Sequence, residues 1–310
     1  MTKFQSIFGL LLAGVLAFGF ASCEKDEDPE PQSIAQIAAG DEQFSTLVAA
    51  LERVNLVSVL DNPGNFTVFA PTNAAFTALG VDLNTLSDAA LTEILLYHVL
   101  GGKVASTDLQ TGQTYATTAA ETGPGDKQLS ILIEKAANGS VKVNGTADVT
   151  SADVEATNGV IHIVDAVLLP LDIVGHAAAN SNFTSLVGAL GSASGDLVNV
   201  LQGDGPFTVF APLNSAFDAI AGTVAGLNAD QLASVLTYHV VGGANVVSGD
   251  LTNGQVVTTV QGEDFTVNIN GSSVTITDAN GNVSNVVLTD VQATNGVIHV
   301  LDKVIIPTNL

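Results

Sequence analysis

The sequence has a single cysteine, Cys23, in 310 residues, no tryptophan, and only eight lysines and arginines. A lone cysteine excludes an internal disulfide and a structural thiolate metal site. Eight cations against 31 aspartates and glutamates leave a net charge of −23. Such a surface repels phosphate backbones, which excludes nucleic acid as a partner class. The lack of tryptophan removes the usual stacking platform of a sugar site. There is no Gly-x-Ser-x-Gly elbow, no Walker loop and no strand-linked Gly-x-Gly-x-x-Gly. Thr277-Asp278-Ala279-Asn280-Gly281 lacks the later bidentate glutamate of a calcium loop. His-x-x-x-His and His-Glu-x-x-His spacings are also absent, so neither a metal nor a cofactor is expected.

What is present is apolar: 46% of the residues, in a chain long enough for two domains. The acidity is spread along it, with five basic against fifteen acidic residues in 33–171 and one against eleven in 172–310. Lys3 followed by the apolar run Ile7 to Phe20 reads as a signal peptide over residues 1–22, too short for a comfortable membrane span. The run ends in Phe20-Ala21-Ser22-Cys23, which resembles the lipobox of bacterial lipoproteins. That resemblance implies cleavage before Cys23, acylation of the cysteine, and attachment to a membrane by more than one chain. Residues 23–32 then form an acidic, proline-containing tether that has nothing to bury. Its acids resemble the surface-export signal of Bacteroidetes lipoproteins and imply an exported protein anchored to the outer membrane or cell surface.

The remainder is a duplication. Phe66-Thr67-Val68-Phe69-Ala70-Pro71 returns as Phe207-Thr208-Val209-Phe210-Ala211-Pro212, Tyr97-His98-Val99 as Tyr238-His239-Val240, and Asn158-Gly159-Val160-Ile161-His162 as Asn295-Gly296-Val297-Ile298-His299. Offsets of 141, 141 and 137 mean two copies of a whole domain, over 33–171 and 172–310, with almost no linker between them. Each copy reads helices first and strands last. Phe44, Leu47, Val48 and Leu51, and likewise Phe183, Leu186, Val187 and Leu190, mark one apolar helix face. Ser87 and Asn228 are N-cap residues, the latter with Gln231 at capping-box spacing, and Gly101-Gly102 and Gly242-Gly243 suit the helix stops. Thr72 can cap the short helix that carries Phe76, whereas Leu213 in the second copy cannot. Leu129 to Glu134, Val141 to Val143 and Phe265 to Ile269 read as strands. Asn144-Gly145, Asn270-Gly271 and Asn280-Gly281 are hairpin signals, and Asn158-Gly159 and Asn295-Gly296 also read as turns that need positive φ.

These three repeated blocks, twice in order, resemble the fasciclin-like (FAS1) domain family across residues 33 to 307. The resemblance implies an α+β fold, each domain a twisted antiparallel β-wedge with several packed helices. It implies adhesion or binding to a protein or polysaccharide on matrix or other cells, no enzyme activity, and a partner-binding segment at Tyr97-His98 and Tyr238-His239. The alternative is an envelope lipoprotein that binds a glycan or small ligand. A hydrolase using His and Asp is a third reading, disfavoured because no nucleophile–base pairing is encoded.

The residues themselves favour structural roles. His98 and His239 fall on the apolar stripe of their helices, as core histidines with satisfied nitrogens would. His162 and His299 lie on strands, where alternation puts His162 on the face opposite Asp165. Asp165 and Asp302 are expected to anchor the closing strand, and Asn73 and Asn214 to cap a helix or brace a loop. His176 has no counterpart in the first copy and is expected at the surface.

Overall fold

The computed structural model describes residues 30–310. The readings at residues 1–22, at Cys23 and along the acidic run to Asp28 lie outside the described residues. Gln32 to Leu310 form one compact unit that contains both copies.

The first copy opens with α1 (Ile34–Gly40), α2 (Ser45–Arg53) and α3 (Val57–Asp61). Strand β1 (Phe66–Pro71), α4 (Asn73–Leu79), α5 (Asp88–Tyr97) and the short β2 (Val99–Leu100) follow. Strands β3 (Gly112–Thr117), β4 (Ser130–Lys135), β5 (Val141–Val143), β6 (Ala147–Ala156) and β7 (Gly159–Val164) complete it. The second copy repeats the order with α6 (Ile173–Ala179), α7 (Thr184–Ser192), α8 (Leu197–Leu201) and β8 (Phe207–Pro212). Then come α9 (Asn214–Ala219), α10 (Ala221–Val224), α11 (Ala229–Tyr238) and β9 (Val240–Gly242). It ends with β10 (Gln255–Thr258), β11 (Asp264–Asn270), β12 (Ser273–Thr277), β13 (Val283–Ala293) and β14 (Gly296–Leu301).

Each copy builds one seven-stranded sheet, in the orders β2-β1-β7-β6-β5-β4-β3 and β10-β11-β12-β13-β14-β8-β9. The antiparallel expectation holds for every pair but one per copy: β1 runs parallel to β7, and β8 to β14. These are the strands of the two repeated boxes, and both are covered on each face, which is why apolar side chains occur on both faces. In β1, Val68 and Ala70 face the helices with Leu47, Leu51 and Leu91, while Phe69 faces the opposite core with Tyr97, Ile131 and Val164. Val209 and Ala211 against Phe210 repeat the split in the second copy.

The parallel register explains the glycines. Gly159 opposes Phe66 at the start of the pair, and a Cβ there would sit 2.1 Å from the Phe66 carbonyl oxygen. Gly296 meets Phe207 at the same 2.1 Å. Their φ is positive, +158° and +159°, but near-extended, and it is the close backbone approach beside the turn that excludes every side chain at these positions. Asn144 and Gly145 have φ of +49° and +69°, the left-handed values a hairpin turn requires.

The helix starts agree with the sequence pattern: Ser87 caps α5, Asn228 and Gln231 form a capping box on α11, and Thr72 caps α4 while Leu213 provides no side-chain cap. The helix stops differ. Both helices end at tyrosine, capped by His98 and His239, and a strand follows at once, ending before Gly101-Gly102 in the first copy and at Gly242 in the second. That strand pairs with β1 or β8, so sheet pairing takes the residues a longer helix would have used.

The two copies touch directly. Tyr115 packs against the core of the second copy, and its hydroxyl accepts a hydrogen bond from Asn180 at 3.0 Å. Gln113 exchanges bonds with Ser181 and Asn182, the Gln292 amide donates to Ser130 Oγ at 2.9 Å, and Asn245 donates to the Pro124 carbonyl. His176, expected at the surface, is instead fully buried here, its ring 5.7 Å from that of Tyr115. The reason is its place on α6, whose Ile173 and Ala177 face the core, so that His176 faces the first copy.

Candidate functional site

The repeated blocks supply four histidines, and the backbone takes up all their nitrogens. His98 Nδ1 donates to the Ile94 carbonyl at 2.7 Å, and its Nε2 accepts from the Leu168 amide at 2.9 Å. His239 repeats this with Val235 and Ile305. His162 uses the other tautomer: Nε2 donates to the Val104 carbonyl, and Nδ1 accepts from the Asp153 amide. His299 does the same with Val246 and Asp290. In His98, His239 and His299 one donated and one accepted bond per ring suits a neutral imidazole. Burial pushes His98 and His239 down to about 4 and lowers His299 as well, the opposing carbonyl bond only partly offsetting it.

The tyrosines beside them are equally committed. The Tyr97 hydroxyl donates to the Ser130 carbonyl at 2.9 Å and accepts from Asn144. Tyr238 donates to the Asp264 carbonyl and accepts from the Ala279 amide. Tyr97 and Tyr238 are 0% exposed, and His98 and His239 are 2% exposed. The candidate partner-binding segment is therefore inside the fold in both copies, where no macromolecule can touch it without opening a core.

The remaining motif residues brace the backbone. Asn73 accepts from the Thr46 amide and donates to the Glu42 carbonyl, fixing the start of α2; Asn214 does so with Ser185 and Ser181. Asp165 accepts from the Asp148 amide at 2.8 Å, and Asp302 from the Asn285 amide and side chain, so each ties the end of the closing strand to its neighbour.

Three residue sets escaped the sequence reading. Asn158 accepts from the Ile34 amide and donates to the Leu60 and Asn62 carbonyls, joining the start of α1, the end of α3 and the β6–β7 turn. Asn295 makes the same three bonds to Ile173, Leu201 and Gly203. Asp153 and Asp290, both at positive φ in the irregular long strands, bond the amide and hydroxyl of Ser106 and Ser248. A shared Asn-Gly looks like a turn from sequence alone; only the duplication itself hinted at more.

Arg53 is the third. It closes α2, and its guanidinium donates to the Leu83 carbonyl, to the Leu86 carbonyl, both at 2.7 Å, and to the Asp88 carboxylate at 3.0 Å. It borders a surface groove of about 330 Å³ between α2, α4 and α5, lined by Thr46, Ala50, Phe76, Thr77, Leu83 and Leu91. The second copy has the corresponding groove, about 490 Å³, between α7, α9 and α11. No group of three or more His, Cys, Asp or Glu side chains that could hold a metal ion occurs among the described residues.

The Fasciclin domain family matches residues 42–170 and 181–307, and the chain belongs to that family. Protein sll1483 of Synechocystis sp. is 46% identical over 143 residues, covering 44% of this chain and 73% of that protein. Human periostin is 30% identical over 257 residues, covering 80% of this chain and 29% of periostin. This chain thus corresponds to under a third of the length of periostin. The solved FAS1 domain pair of the insect cell adhesion molecule fasciclin I has a TM-score of 0.49 and 20% identity, over 82% of this chain and 91% of that one.

Proposed function

We propose that this chain is an exported lipoprotein, held at a cell surface through Cys23, whose two Fasciclin domains bind a partner on matrix or other cells. Membership of the Fasciclin family supports a general role in adhesion or binding. The observation that carries the reading is where the polar residues go. The motif histidines, tyrosines and asparagines are used up in holding the backbone, so recognition falls to the outer surface, above all to the helical groove each copy presents. The surface role is that of a binder, not a catalyst. Two copies in one compact unit give avidity where both engage the same surface. Lys3, the apolar run and Ala21-Ser22-Cys23 support the anchor, and the acids after Cys23 support display on the outer face.

Two measurements test it. Mass spectrometry of the mature N-terminus should find an acylated Cys23; an unmodified start at Ala21 or beyond Cys23 refutes the anchor. Protease added to intact cells should remove the domains; full protection refutes surface adhesion.

A further inference from the structure

The duplication supplies an internal template for what the second groove holds. In the first copy the groove carries its own cation. Arg53 lies across the turn before α5, with the Leu83 and Leu86 carbonyls and the Asp88 carboxylate as acceptors. In the second copy, α7 matches α2 from Phe183 to Ser192, so Ser192 stands where Arg53 does. Val224, Leu227 and Ala229 stand where Leu83, Leu86 and Asp88 do, counting back from the matched tyrosines.

The groove changes as that substitution demands. Its lining keeps the equivalents Ser185, Ala189, Phe217, Asp218, Val224 and Leu232. Ser192 takes the place of the lining Arg53, the lining gains Leu227 and Ala229, whose equivalents Leu86 and Asp88 hold the guanidinium in the first copy, and the volume is larger. The acceptors are retained. The Val224 carbonyl takes one bond from the Leu227 amide, as the Leu83 carbonyl takes one from Leu86, which leaves each a second lone pair. The carboxylate has moved: Ala229 replaces Asp88, and Asp218 replaces Thr77 on the groove wall. The second copy has a single basic residue, Lys303, and its ammonium is bonded to the Val283 carbonyl.

We infer that the second groove is a socket for an arginine side chain presented by a partner protein, seated as Arg53 seats in the first copy. A planar fork of donors fits paired carbonyls and a carboxylate better than a lysine ammonium does, and small residues along the walls leave room for the stem. The inference rests on the binding role proposed above and names the chemistry of its partner.

The test uses the full chain with Cys23→Ser, to prevent acylation, and blocked pentapeptides of alanine with a central arginine, lysine or citrulline. Titration should show one arginine-peptide site, with the lysine peptide weaker by about threefold or more and citrulline weaker still. Ser192→Arg fills the socket from within and should weaken the arginine peptide by about tenfold or more. Ser272→Arg adds the same charge on an exposed turn of the second copy and should change it by less than about twofold. Arg53→Ser should open the first groove and raise the stoichiometry from one site to two. Circular dichroism of each variant confirms folding. Equal binding of the arginine and lysine peptides, or equal effects of Ser192→Arg and Ser272→Arg, would reduce the effect to bulk charge and overturn the socket. Cells that adhere normally while Ser192→Arg abolishes peptide binding refute this partner chemistry alone. Intact peptide binding on cells that fail to adhere refutes the adhesion reading instead.

Discussion

The two copies share an interior and differ outside. The backbone braces of the repeated blocks recur in both: Asn158 and Asn295, His98 and His239, His162 and His299, Asp153 and Asp290. Their outer faces have diverged. Ion pairs among the described residues, Arg53–Asp88, Lys103–Glu155 and Lys142–Asp148, all lie in the first copy. The second has almost no cations to pair. The contrast follows from cost. A buried polar group that loses its partner costs about 1–3 kcal/mol, whereas an exposed ion pair contributes about 0–1 kcal/mol. Interiors resist change, and surfaces are free to take up different partners.

That symmetry can be broken by experiment. The largest effect is expected at the parallel seam. Gly159→Ala and Gly296→Ala each force a Cβ onto a carbonyl oxygen and should cost more than about 4 kcal/mol in urea denaturation. Similar losses at both sites would uphold equivalent interiors; a mild effect at one would break the comparison. Asn158→Ala and Asn295→Ala remove three bonds each from buried or partly buried groups and should cost about 3 kcal/mol apiece.

Acid should weaken both copies together. His98, His176 and His239 sit near 4 in the folded chain, below the ordinary 6.5, because burial disfavours the charged ring. A depressed histidine contributes its stability fully above 6.5. As pH falls from there toward 4, the unfolded chain takes up protons that the folded chain refuses, and stability drops by about 1.4 kcal/mol per pH unit for each ring. Melting curves between pH 7 and 4 check this; a flat profile would contradict the locked neutral rings.

His176 sharpens the comparison because it has no twin. Among the described residues, neither of its ring nitrogens has a hydrogen-bond partner. His176→Leu should therefore raise the melting temperature, by about 1 kcal/mol of stability, and remove one ring's share of the acid slope. The smallest effect is expected at Thr72→Ala, which removes the cap of α4 and should cost about 0.5 kcal/mol, the low end for an N-cap. The second copy already lacks that cap at Leu213, so there is no equivalent loss to measure there.

The sequence made the repeated architecture readable because periodicity and punctuation are local. The apolar stripes of α2 and α7, the caps Ser87 and Asn228, and the strand runs β4, β5 and β11 all lie within a few residues of the signals that define them. The histidines on apolar stripes could be read as core residues for the same reason. What stayed hidden depends on distant contacts. Nothing near Asn158 announces Leu60 or Asn62, and nothing near His176 announces Tyr115. The Gly-Gly pairs misled because the two residues of β2 and three of β9, paired far away with β1 or β8, are too short to leave a periodic trace. The resemblance to the family pointed to Tyr97-His98 and Tyr238-His239 as contact residues, but a motif in sequence does not say which way its side chains face.

The parallel pairing of β1 with β7 also bears on biogenesis. Phe66 waits for Gly159, about 90 residues later, and Phe207 waits for Gly296 over a similar stretch. A strand one in from the edge of each sheet thus stays half-paired until the last segment of its copy has been synthesised, and closing so long a loop is entropically slow. For the export proposed above, this order keeps each half from closing before its own tail has emerged.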